Sequence, residues 1–308
     1  MSNKLSIIIP CYNQVDLLER NLNYLEKQSF KDFNIVIIDD QISQDYKKVI
    51  GKFSNFNITY IRNEKNLGAI KNIFNSIFYK TNSEYQISLH EDDVLHSDYL
   101  KKAVEILDGN KRISFVTTLA LWFTDSKDLE TKFNKSKTTS DKTLIVDKVN
   151  FIREILKGKH IMLGSAVYRN PIKQIKPDYE TYDVLCDRPF LASLLDEGSS
   201  ASIINDKLIF TRDHGNNDHR SDTVVADDCF NLMSFYKESL PKPISEKDYN
   251  DFLTFSTNNL IHTYNYIKTE NISFYSFIKK GMQLDLIKFS HINRIGVAGL
   301  LKFIYNKK

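Results

Sequence analysis

At 308 residues the chain is long enough for one large α/β domain with an appendage, or for two modest domains. Apolar residues make up 42% and charged residues 26%, which fits a folded soluble protein, and only 10 Gly and 6 Pro exclude a fibrous or low-complexity chain. The net charge of +3 is too small to mark a nucleic-acid binder, and no stretch approaches the roughly 18 apolar residues that cross a bilayer.

Cys11, Cys186 and Cys229 are far apart and odd in number. They match no metal-ligand spacing and read as reduced thiols of a cytosolic protein. The opening MSNKLSIIIPCYN has only a short apolar run and no small-residue cleavage site, so a signal peptide is not expected.

In chain order, KLSIIIP predicts a strand. Gln14 to Gln28 predicts a helix, with Leu17, Leu18, Leu22 and Leu25 on one face. FNIVIID and NITYIR predict the second and third strands. Asn66 to Lys80 predicts a helix with the stripe Ile70, Ile73, Phe74, Ile77 and Phe78. EYQISL and RISFVTTLAL predict two more strands, and VLHSDYL between them looks like the start of a helix. Asp125 to Lys142 is rich in Lys, Thr and Ser and reads as a solvated loop. DKVNFIREILKG returns to helix, capped by Asp147 and ended by Gly158, and DRPFLASLLDEG is another helix closing on a Gly. ASIINDKLIFTR is strand-like, and after about Asp222 the pattern is mainly helical. Alternating strands and helices predict an α/β fold with a mostly parallel sheet covered on both faces, and ligands bind beyond the carboxyl ends of such strands.

The polar clusters at those ends are PCYNQ, DDQISQD, RNEKNLGAIKN and HEDD. In the last, Glu91, Asp92 and Asp93 follow an apolar run. Burying unpaired like charges costs several kcal/mol apiece, and a cation is the simplest group that offsets it. The plainer reading is an acidic turn capping a helix that starts near Ser97. Asp39 and Asp40 likewise read either as a binding pair or as a strand-to-helix cap.

Together these segments resemble glycosyltransferase family 2, the inverting GT-A nucleotide-sugar transferases. SIIIPCYNQVDLLERNLNYLEKQSFKDFNIVIIDD looks like that family's nucleotide-binding start, and NEKNLGAIKN is similar to its Asn-x-Gly segment. HEDDVLHSDYL falls where its Asp-x-Asp motif sits. MLGSAVYRNPI and CDRPFLASLLDEG resemble its acceptor-side segments, and TRDHGNND a later Arg-x-His element. The resemblance covers roughly residues 4–220. It implies a GT-A (Rossmann-like) catalytic domain over 1–220, nucleotide-binding to about 120 and acceptor-binding beyond, with a C-terminal helical extension over 221–308.

The resemblance also implies roles. Pro10, Tyr12 and Asn13 would flank the nucleobase, with Asp39 accepting from a uracil N–H and Asp40 beside it. An ionised carboxylate only accepts, which suits the imide of uracil or thymine. Asn66, Gly68 and Lys71 would touch the nucleotide, as would Lys65 and Asn72, although a solvated basic helix face reads equally well. Asp92 would hold Mn²⁺ or Mg²⁺, Glu91 the ribose hydroxyls, and Asp93 would support Asp92. His90 stands where the family has an Asp, and either binds the metal or holds Asp92. Asp187 falls at the general base, although Cys186 replaces the Glu that usually precedes it, and an N-cap reading is open. His214, helped by Arg212, would reach the diphosphate or metal.

The implied reaction moves a sugar from a nucleotide-sugar, most readily a UDP-sugar and then a dTDP-sugar, to a saccharide or lipid-linked acceptor in bacterial surface polysaccharide or glycolipid synthesis. One rival is the same fold as a binding or assembly subunit with a decayed site, which His90 and Cys186 favour. Another is a sugar nucleotidyltransferase, but no Gly-rich, basic phosphate loop follows the first strand. Residues 271–308 hold seven Lys or Arg against one acid, Asp285. Leu284, Ile287, Ile295, Ala298, Leu301 and Tyr305 fall there at helical spacing. Such a basic amphipathic helix either lies on the inner face of an anionic membrane or packs on the catalytic domain or a second subunit.

Overall fold

The computed structural model describes residues 3–40, 46–138, 143–213, 226–265, 272–293 and 296. The strands are β1 (Leu5–Cys11), β2 (Phe33–Asp39), β3 (Ile58–Arg62), β4 (Tyr85–Ser88), β5 (Val94–Leu95), β6 (Ile113–Phe123), β7 (Thr143–Val146), β8 (Val167–Arg169) and β9 (Ser200–Arg212). They form one sheet in the order β3-β2-β1-β4-β8-β6-β9-β5, with β7 also on β9. The run β3-β2-β1-β4 is parallel throughout, as is β6 with β9. β8, β5 and β7 run antiparallel to their neighbours.

The helices are α1 (Val15–Leu25), α2 (Lys47–Ile50), α3 (Ala69–Ile77), α4 (Tyr99–Gly109), α5 (Ser126–Lys135), α6 (Lys148–Leu156), α7 (Tyr179–Tyr182), α8 (Asp187–Ser193), α9 (Ala226–Glu238), α10 (Glu246–Thr263) and α11 (Phe274–Gln283). Alternation along β1 explains why helices cover both faces of the sheet. Leu5, Ile7, Ile9 and Cys11 join one core with Leu18, Leu22 and Leu25 of α1. Ile8 faces the other way, with Val36 and Ile38. Burying each such side chain stabilises by about 1.5–3 kcal/mol.

Two compact units result. One comprises Met1–Asp147, His160–Ile175 and Leu194–Asp213, and carries the sheet. The other comprises Lys148–Lys159, Lys176–Ser193 and His214–Lys308, and is helical. Inside the second unit, Arg153 of α6 donates two hydrogen bonds to Asp248 of α10, at 2.8 and 2.7 Å.

Four expectations from the sequence are revised by the structure. The expected loop at Asp125–Lys142 contains α5, because Asp125 caps it through the Asp128 N–H at 2.9 Å and Leu129 is fully buried. Its apolar face is too small to stand out among the surrounding Lys and Thr. Val94 and Leu95 pair with Phe210 and Ile209 before α4 begins at Tyr99. Asp187 is the first residue of α8 rather than a cap before it, since a 3-10 turn over Asp183–Cys186 leads straight in. No single helix runs on from Leu284. Asp285 adopts φ +55, Ile287 is buried, and Phe289–His291 forms a 3-10 turn. The stripe positions from Ile295 onward lie outside the described residues.

Candidate active site

The parallel register brings three strand ends together. Cys11 pairs with Asp39, and Asp39 with Arg62. The Asp39 carboxylate is fully buried and accepts from the Tyr60 hydroxyl at 2.5 Å and Arg62 Nε at 2.9 Å. Burial and the bond to Asp39 push the Tyr60 phenol up to about 12. Sequence reasoning missed Tyr60 and Arg62. Their signal was NITYIR itself, a strand ending in a cation next to one ending in an acid.

Asp40 faces a different task. Its side chain accepts from Asn63 Nδ2 at 2.8 Å, from the Leu67 N–H at 2.8 and 3.0 Å, and from the Gly68 N–H at 3.0 Å. Asn66 Oδ1 also accepts from Gly68, at 2.8 Å. Gly68 has φ +84, a conformation open to glycine at little cost, and opens α3. The Asn-x-Gly segment is therefore shaped by Asp40. Asn72 is buried and receives a hydrogen bond from Asn63 at 3.1 Å, while Lys65 and Lys71 are exposed.

Pro10 is buried within β1, and the chain then turns outward. Tyr12 is 48% exposed and Asn13 adopts φ +58. Glu91, expected at the ribose, is buried and turned toward this turn. It accepts from the Tyr12 N–H at 2.8 Å and from the Tyr46 hydroxyl at 3.3 Å. Burial pushes its carboxyl up to about 7. Tyr46 carried no readable signal in the sequence.

His90, Asp92 and Asp93 form a tight group, with potential ligand atoms all within 4.8 Å of one another. The Asp93 N–H closes a turn on the His90 carbonyl at 3.2 Å. Two residues of α1 hold that turn from below: Arg20 donates to the Asp92 carbonyl at 2.8 Å, and Asn21 to the carbonyls of His90 and Asp93 at 3.0 and 2.9 Å. Asp93 Oδ2 lies 3.8 Å from His90 Nδ1. Burial, then the charge of Asp92, holds Asp93 well above the usual carboxylate range. Asp93 Oδ2 and His90 Nε2 are buried without a hydrogen-bond partner. Gly164 lies against the pair, and a Cβ there would sit 3.3 Å from Asp93 Oδ2 and 3.4 Å from the His90 ring. Oxygen and imidazole donors, among them a buried carboxylate oxygen with no hydrogen-bond partner, fit a hard divalent cation. Asp93, expected only as support, thus stands among the candidate ligands.

Arg212 ends β9 and donates to Gln14 Oε1 at 3.3 Å. His214 lies outside the described residues. Asp187 belongs to the helical unit, where its neighbour Arg188 is enclosed beside Tyr236. Burial pushes the Cys186 thiol up to about 12, which argues against a nucleophile there. Among the described residues no helix is long and apolar enough to cross a membrane.

The family model for glycosyl transferase family 2 matches residues 6–158. An uncharacterized glycosyltransferase of Haemophilus influenzae is 28% identical over 36% of this chain and 37% of its own length. A GalNAc(5)-diNAcBac-PP-undecaprenol beta-1,3-glucosyltransferase of Campylobacter jejuni is 30% identical over 33% of this chain and 34% of its own. The matched region thus spans about a third of these curated relatives. Among solved structures, Staphylococcus aureus TarS 1-349 superposes with a TM-score of 0.59 at 16% identity, covering 98% of this chain and 88% of that one. The mannosyltransferase PcManGT of Pyrobaculum calidifontis, in complex with GDP-Man and Mn²⁺, superposes at 0.50 and 14% identity, covering 100% and 89%. The fold is GT-A, and through residues 6–158 the chain belongs to glycosyl transferase family 2.

Proposed function

We propose that the chain is an inverting, metal-dependent glycosyltransferase that moves a sugar from a nucleotide-sugar, a UDP-sugar first, to a saccharide or lipid-linked acceptor of a bacterial surface polysaccharide or glycolipid. The observation that carries this is the His90, Asp92 and Asp93 group, with two buried ligand atoms unpartnered, beside the strand ends of a GT-A sheet. Support for the donor comes from a TarS structure in complex with UDP-GlcNAc. Support for a lipid-linked acceptor comes from the undecaprenol-directed relative.

In this reading Tyr12 stacks on the base and Asp39 accepts its imide N–H. Tyr60 and Arg62 hold the Asp39 carboxylate in its orientation. Asp40 shapes the Asn66–Gly68 backbone that borders the nucleotide. Asp92, with Asp93 and His90, would hold Mn²⁺ or Mg²⁺, which when bound neutralises charge on the leaving diphosphate. Arg20 and Arg212 add positive charge near the same acidic turn. Asp187 accepts the proton of the acceptor hydroxyl, as a positioned base worth about 10²–10⁴-fold. The chain works in the cytoplasm as two parts, a catalytic domain over 1–220 and a helical extension over 221–308 that either packs on a protein surface or rests on the inner face of the membrane.

The test is a nucleotide-sugar panel scored by UDP release with Mn²⁺ and with EDTA. Asp92→Asn is expected to lose turnover by orders of magnitude, and Asp187→Asn to lose transfer by about 10²-fold or more while still binding UDP. Activity that resists EDTA and Asp92→Asn removes the metal. A wild-type chain that binds donors but never turns them over supports a binding subunit instead.

A further inference from the structure

Glu91 is the one member of the acidic turn that points away from the candidate metal group. Glu91 as a whole is 7% exposed. One oxygen accepts the Tyr12 N–H at 2.8 Å and the other accepts from the Tyr46 hydroxyl at 3.3 Å. That same hydroxyl accepts the Gln14 N–H at 3.1 Å, and Tyr46 is fully buried. Both ends of the Tyr12–Asn13–Gln14 turn are thus tied to one enclosed pair. Asn13, between the two ties, adopts a left-handed φ of +58. Asn tolerates the left-handed region better than other side chains, and the two ties fix it there. What the turn exposes is the Tyr12 side chain, 48% accessible on an otherwise buried strand end.

We infer that Glu91 and Tyr46 form a buried clamp that presents the Tyr12 ring to the nucleobase of the donor, which makes both of them positioning residues for nucleotide binding. A preset aromatic platform loses little freedom when a base stacks on it, so the clamp acts on affinity rather than on the chemical step. The inference rests on the proposed function in one respect, that Tyr12 meets the base. A Glu91 that met the ribose, or belonged to the metal group, would act differently.

The test uses the full chain and its variants Glu91→Ala, Glu91→Gln and Tyr46→Phe, with UDP plus Mn²⁺ as the probe. Amide hydrogen exchange at Tyr12 and Gln14 reads the clamp without any ligand, and calorimetry reads UDP affinity. In Glu91→Ala, exchange at Tyr12 is expected to rise at least tenfold and UDP to bind about tenfold more weakly, the loss of one buried hydrogen bond. In donor kinetics KM rises and kcat holds within about twofold. Glu91→Gln keeps exchange at Tyr12 near wild type, because its carbonyl still accepts from that N–H, while its amide takes the acceptor away from the Tyr46 hydroxyl and loosens Gln14. Tyr46→Phe removes only a hydroxyl, frees the Gln14 amide, and keeps the test available should Glu91→Ala unfold. Unchanged exchange in both truncations overturns the clamp. Faster exchange with unaltered UDP affinity overturns its role in binding. A fall in kcat with KM unchanged overturns it as well and moves Glu91 to the metal group. If wild-type protein binds no UDP, the donor reading fails and the nucleobase role with it, while exchange still decides whether the clamp exists.

Discussion

Replacing Asp40 by Ala removes the carboxylate that shapes the Asn66–Gly68 segment. The side chain is 2% exposed and accepts from three donors, Asn63 Nδ2, the Leu67 N–H and the Gly68 N–H, at 2.8 to 3.0 Å. Hydrogen bonds to a charged group contribute roughly 1.5–3 kcal/mol each when fully buried. These are part-buried, and water reaches the exposed Gly68 once the carboxylate is gone, so the loss falls well short of the sum. We expect Asp40→Ala to cost about 3 kcal/mol. Asp40→Asn should cost about half as much, because one acceptor survives and an amide N–H then faces the Gly68 N–H. Asn66→Ala, which removes one exposed bond, should cost less than about 1 kcal/mol. Urea unfolding followed by far-UV circular dichroism, with amide exchange at Leu67 and Gly68, gives both the magnitude and its location. A cost below about 1 kcal/mol for Asp40→Ala, with Leu67 and Gly68 still protected, refutes the reasoning. Asp40 would then be free for the ligand contact that its sequence position suggested.

Two further perturbations probe other parts of the molecule. Arg153, through its hydrogen bonds, holds the Asp248 carboxyl below the usual range. Folded-state depression means that the pair's stabilisation is complete above the unfolded pKa near 4 and is lost as pH falls through the lower folded value. Thermal melts should therefore show wild type losing stability below about pH 4 relative to Asp248→Asn, with the variant less stable by about 1–3 kcal/mol at pH 7. Gly164→Ala places a methyl 3.3 Å from Asp93 Oδ2, so it should weaken Mn²⁺ binding by about tenfold, followed by electron paramagnetic resonance, while changing stability by less than about 1.5 kcal/mol.

Most of the sheet was legible because β-branched runs bounded by polar turns leave little choice. FNIVIID is β2 residue for residue, and KLSIIIP is displaced from β1 by one position at each end. The polar strand ends were legible for the same reason, since a parallel sheet gathers them on one edge. The roles of individual carboxylates were less so. Asp39 and Asp40 look alike in sequence, yet alternation sends one to Tyr60 and Arg62 and the other to the Asn66–Gly68 backbone.

The acidic turn shows why a motif string underdetermines its own chemistry. Three consecutive carboxylates read as one feature, but the turn closed by Asp93 N–H on His90 splits them. Glu91 goes back beneath β1, Asp92 stays half-buried, and Asp93 lies beside His90. The direction of that split comes from α1, where Asn21 sits 1% exposed between Leu18 and Leu22 and donates to two carbonyls of the turn. A buried amide costs stability unless it is bonded, so an Asn on the apolar stripe of a helix is itself a signal that the helix supports something polar. His90 then alters the balance of the group. An imidazole in place of a carboxylate leaves two acids rather than three around a candidate cation, and it can donate a ligand while neutral. Repulsion within the group falls by that substitution, and Asp93 can be buried at a cost the fold bears before any cation arrives.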